Sequence, residues 1–99
     1  MKKLTKKTIE HGQIVTVIES TYTLPTMKNS SWYTPQTKLI GYEDIGQIFT
    51  PNIELNVGEK LEIIELTKRV RGVSYKRLED NKTYSSYLGE FTAFTRLII

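Results

Sequence analysis

The chain has no cysteine, one histidine, one tryptophan, three prolines and, among its acids, only two aspartates. Without cysteine there is no disulfide scaffold, thiolate zinc site, iron–sulfur cluster or cysteine nucleophile. The lone His11 leaves a histidine-paired nucleophile dependent on one residue near the N-terminus. Beside Gly12, a polar surface histidine is the simpler reading. Asp44, Asp80 and His11 show no metal-ligand spacing, and no glycine loop suited to cradling phosphate is present. Glu43 and Asp44 are adjacent carboxylates, but neighbours on a strand point to opposite faces, so they read as a surface turn. We therefore expect no enzyme, no cofactor and no metal. No apolar run approaches the length of a membrane helix. Thr8, Glu10, His11 and Gly12 interrupt what MKKLTKKT would otherwise begin as a secretion signal. The expectation is a soluble, cytoplasmic protein with no membrane partner.

What is present suits one domain. A length of 99 residues with 38% hydrophobic and 25% charged content supports a single modest core. The formal net charge of +3 is unevenly held: Lys2, Lys3, Lys6 and Lys7 supply four charges, which leaves −1 over residues 8–99. We read residues 1–12 as a basic, flexible lead and residues 13–99 as the β domain. Within the domain, charge is segregated. Glu43 to Glu65 holds six acids against Lys60 alone, and Leu66 to Leu78 holds five bases and no acid. Interrupted by Ile, Phe and Leu, the acids read as the wet faces of strands or as a surface for a basic partner.

Thr is abundant, six Tyr join Ile and Val, and no window shows a sustained helical period, so the fold class is all-β. Strands are expected over Gln13–Thr23, Lys38–Tyr42, Gly46–Phe49, Ile53–Val57, Leu61–Leu78 with a bulge at Gly72, Thr83–Leu88 and Glu90–Ile98. Glu79-Asp80-Asn81-Lys82 reads as a hairpin turn. Five to seven short strands of this kind make a small barrel or a strongly bent antiparallel sheet. The stretch IELNVGEKLEIIE, Ile53 to Glu65, resembles the apolar–x–Val–Gly–acid–x–apolar lead-in to a strand of SH3-like barrels. That resemblance implies a small barrel only, because the aromatic peptide-binding motif of SH3 domains is absent.

Two features point to binding. Pro25 to Thr37 is a long polar loop carrying Trp32 and Tyr33, and long loops are often functional. Exposed Trp and Tyr make effective binding anchors, with Tyr42 a third aromatic of this kind; alternatively, Trp32 plugs one end of the barrel. The second feature is the basic segment. If extended, it sets Arg69, Arg71, Tyr75 and Arg77 on one face, with Lys68 and Lys76 on the other, an array suited to phosphates and stacked bases. The bland alternative is a solvated face paired with Glu62 and Glu65. The leading expectation is thus a non-enzymatic protein-binding module or inhibitor. The Lys, Ile, Asn, Thr and Tyr content suits an AT-rich bacterium or its phage, and blocking a host enzyme or defence complex is one such role. The alternative is a nucleic-acid-binding barrel. The apolar end, Leu97-Ile98-Ile99, either completes the core or pairs with a second copy as a homo-oligomer.

Overall fold

The computed structural model describes residues 2–47, 49–68 and 70–98. Its strands are β1 (Ile14–Val17), β2 (Leu39–Tyr42), β3 (Asn52–Leu55), β4 (Lys60–Leu66), β5 (Gly72–Arg77), β6 (Lys82–Tyr87) and β7 (Thr95–Leu97). A helix, α1 (Leu88–Phe94), lies between the last two strands. The strands form one antiparallel sheet in the order β3-β2-β6-β5-β4-β1-β7, which curls into a half-barrel.

Strand alternation decides which side chains face inward. Val15 and Val17 of β1, Leu61 and Ile63 of β4, and Val73 and Tyr75 of β5 are buried, while their neighbours Thr16, Glu62 and Ser74 are partly exposed. The α1 helix fills the concave side, packing against β2, β5, β6 and β7. Its Phe91 ring sits 5.2 Å from that of Tyr75, centroid to centroid. Such a pairing adds to the stabilisation from burying two large rings. At the helix end, Arg96 Nη1 donates to the carbonyls of Thr92, Ala93 and Thr95, supplying partners that the last turn lacks within the helix.

Several sequence expectations require correction. Residues Leu61–Leu78 do not form one bent strand. The chain reverses between Leu66 and Gly72, and β4 and β5 pair antiparallel from Leu61↔Arg77 to Leu66↔Val73. The register shift lies between Ile63 and Glu65, not at Gly72. Gly72 is needed for close approach: a Cβ there would come within 2.8 Å of the Ser86 carbonyl oxygen. Glu90–Ile98 is likewise not one strand. Leu88, Phe91 and Thr95, spaced three and four apart, turn inward together as α1 ends in β7. Alternation explains these residues less well because Phe94 is also buried. Gly46 and Phe49 have positive φ and belong to a turn; Ile48 lies outside the described residues. The expected hairpin turn is present, with Asn81 at φ 59° between β5 and β6.

The segment read as a flexible lead is packed. Lys2 pairs with Leu97 through two backbone hydrogen bonds, and Leu4 is buried among the core residues. Thr5 to Thr8 closes a turn, and the Gln13 side chain accepts from the Glu10 amide and donates to the Thr8 carbonyl. An amphipathic lysine segment with one apolar anchor can lie on the domain while its charges stay in water. At the other terminus, β7 pairs with β1 and Leu97 packs against the core.

Candidate functional site: a basic groove beside an aromatic loop

The folded N-terminal segment and the start of α1 leave a groove of about 760 Å³ between them. Leu4, Tyr22, Leu24, Tyr87 and Leu88 make it largely apolar, and Lys3, Lys6 and Arg71 bring cations to it. A second hollow of about 370 Å³ shares Lys6, Arg71 and Leu88 with it and adds Lys68. Arg71 is positioned by its backbone, because its carbonyl accepts the Leu88 amide at 3.0 Å at the start of α1.

The cations at the groove differ from the three that are paired within the fold, Arg77, Lys76 and Lys38. Arg77 bonds to Glu59 at 2.5 Å and also reaches Glu79 and Asp80, while Lys76 and Lys38 face Glu62 and Glu54. Among the described residues, Lys3, Lys6, Lys68 and Arg71 have no carboxylate within 4 Å. Leu24 and Tyr87 are also among the exposed large hydrophobic residues. Uncompensated charge therefore meets exposed apolar surface here. This combination suits recognition better than stability.

Glu90 forms part of the groove, although only 7% of the residue is exposed. Gln36 Nε2 donates to its Oε2 at 3.2 Å. Burial raises the carboxyl above its ordinary pKa, and the Gln36 hydrogen bond offsets this in part. Among the described residues, the groove lining contains no histidine and no carboxylate besides Glu90. Among the described residues, no three His, Cys, Asp or Glu side chains gather in a way that could hold a metal ion.

Gln36 also organises the aromatic loop. Its backbone pairs with Tyr22 through hydrogen bonds of 2.8 and 2.9 Å, closing the intervening excursion at its base. A short 3-10 turn, Pro25–Met27, starts that excursion. Trp32 is 76% exposed and edge-on to Tyr33, with ring centroids 6.4 Å apart, so it does not plug the barrel. Tyr42 packs edge-on against Tyr87 at 5.9 Å, which links it to the groove.

The structure does not assemble the proposed arginine–tyrosine face. Tyr75 is fully buried, and its hydroxyl bonds to Ser86, so it offers no ring to a base. Arg77 is occupied by three carboxylates, and Lys76 faces Glu62 across the β4–β5 pair. Arg71 and Lys68 lie in the reversal before β5, at the groove; Arg69 lies outside the described residues. Lys3 and Lys6 belong to the basic lead read from sequence, whereas Tyr22, Leu24 and Glu90 carry no signal there as site residues. The usable signal was the Leu88–Phe91–Thr95 spacing, which would have revealed the helix that forms one wall. In comparisons with protein-family models, curated proteins and solved structures, nothing matched the chain.

Proposed function

We propose that this chain is a non-enzymatic protein-binding module, acting as an inhibitor or adaptor, whose contact surface combines the Trp32 loop with the adjoining aromatic groove. The observation that carries this reading is Trp32: a large aromatic left 76% exposed on a loop whose base is clamped by the Tyr22–Gln36 pair. An exposed Trp held on an ordered loop buries much area on binding and loses little conformational freedom. Leu24, Tyr33, Tyr42 and Tyr87 supply further apolar or amphipathic surface of the kind enriched in interfaces.

The test is affinity capture from bacterial lysate with and without nuclease digestion, using the wild-type chain and Trp32→Ala. The reading predicts a protein retained in stoichiometric amount after digestion, and lost with Trp32→Ala while the melting temperature is unchanged. Capture that disappears on digestion would transfer the function to nucleic acid. Capture unaffected by Trp32→Ala would remove the loop from the interface.

A further inference from the structure

We infer that the groove between the N-terminal segment and α1 receives an acidic segment of a protein partner, with an apolar side chain seated against Leu24, Tyr87 and Leu88. This rests on the protein-binding reading above and adds the chemistry of the bound segment. The cations define its charge. Lys3, Lys6 and Arg71 line one groove, Lys68 extends the series into the adjoining hollow, and none has a carboxylate within 4 Å among the described residues. Cations that are not neutralised within the fold complement carboxylates from outside it, and a matched interface gains specificity and association rate from this.

The lining suits an apolar side chain flanked by carboxylates. Leu24 and Tyr87 keep apolar surface exposed in the groove, and Tyr87 is held by an edge contact with Tyr42. A peptide carrying one Leu, Met, Phe or Trp between carboxylates satisfies both parts: the apolar group covers Leu24 and Tyr87, and the carboxylates reach the lysines and Arg71. Binding to such a groove follows the anchor-in-pocket mode, in which one desolvated side chain supplies most of the energy and the charges fix orientation.

The experiment uses a random twelve-residue peptide display library selected on the full chain, followed by fluorescence anisotropy with the most enriched peptide. We expect enrichment of Asp and Glu around a large apolar residue. Reversing one cation with Lys6→Glu or Arg71→Glu should weaken the enriched peptide about tenfold, since attraction is replaced by repulsion. Both side chains are exposed, and thermal melts of both variants should match the wild type. A dT12 oligonucleotide should not displace the peptide. No enrichment, enrichment without acids, or affinity unchanged by both reversals would overturn the inference. Displacement by dT12 would overturn it in favour of nucleic acid, and a concentration-dependent dimer that blocks the groove would do so in favour of a second copy. The two readings fail separately. A lysate partner lost with Trp32→Ala but indifferent to Lys6→Glu and Arg71→Glu leaves the module and removes the acidic segment. A peptide that binds the groove without any captured protein does the reverse.

Discussion

Tyr75 and Ser86 allow a prediction in which direction and relative size both follow from a single proton. The Tyr75 hydroxyl lies 2.6 Å from Ser86 Oγ, and Ser86 Oγ lies 2.6 Å from the Ile40 carbonyl oxygen. A carbonyl only accepts, so the serine proton goes to Ile40 and the tyrosine must donate to the serine. Burial raises the Tyr75 pKa far above its ordinary value, which keeps this donor protonated. The relay joins β5, β6 and β2 at a weak place, because among the described residues β2 and β6 share one ladder pair, Tyr42↔Ser85. Ser86→Ala strands the tyrosine hydroxyl in a fully buried site and removes the side-chain donor to the partly buried Ile40 carbonyl, a cost of about 3 kcal/mol. Tyr75→Phe leaves the serine–carbonyl bond in place and costs about 1 kcal/mol. The double variant no longer carries a stranded hydroxyl and falls short of the sum by at least about 1 kcal/mol. Urea denaturation followed by circular dichroism measures all three, and each kcal/mol corresponds to roughly 4–8 °C in Tm for a domain of this size. Equal costs for the two single variants, or strict additivity, would refute the assigned direction of the relay.

Other perturbations separate structural from functional charges. Arg77→Met leaves Glu59, whose side chain is 11% exposed, without its guanidinium, and should lower stability by about 2 kcal/mol in thermal or urea denaturation. A loss below about 0.5 kcal/mol would show that the Glu59–Arg77 contact contributes little. Burial pushes the Glu59 carboxyl up, but hydrogen bonds from Arg77 and the Asn56 amide outweigh it and hold the pKa below the ordinary value. Its contribution is therefore present above the ordinary carboxylate range and lost as pH falls through the lowered pKa. Arg77→Met should flatten that acid limb in denaturation curves taken across pH. Glu90 has the opposite sign: its raised folded pKa makes its contribution full below the ordinary carboxylate range and lost as pH rises through the folded value. Glu90→Gln should gain stability relative to the wild type between acidic and neutral pH, and a pH-independent difference would contradict this. Gly89→Ala should destabilise by about 1–3 kcal/mol in the same assay, because its Cβ would meet the Tyr22 hydroxyl at 2.5 Å.

The sheet was largely legible because its cues are local. Val15 and Val17, and later Val73 and Tyr75, alternate with more polar neighbours, and the Asp80-Asn81 turn marks a hairpin without knowledge of the rest of the fold. The strand break before Gly72 was not legible. Lys68, Arg69 and Arg71 around Val70 continue a plausible strand pattern, and only pairing between Leu61 and Arg77 reveals the reversal. The helix was obscured because Thr92 favours strands in isolation and Thr95 begins β7 directly after it. In the fold their hydroxyls donate to helical carbonyls, and α1 gains its stability from packing Phe91 and Phe94 inside the half-barrel. The same long-range dependence hid the groove. Lys3 and Lys6 belong to a segment that looks solvated until Leu4 is seen to be buried, and they meet Arg71 only through the tertiary fold. Trp32 and Tyr42 were visible as aromatics in sequence. The former's exposure and the latter's contact with Tyr87 depend on the fold.

Hydrogen-exchange footprinting of the nuclease-treated captured complex tests the proposed surface most directly. The account predicts slowed exchange in amides around Tyr22–Gln36 and at the start of α1, with melting behaviour showing that the free module is folded. Slowed exchange confined to the β4–β5 hairpin, with the Trp32 loop and groove unchanged, would contradict it.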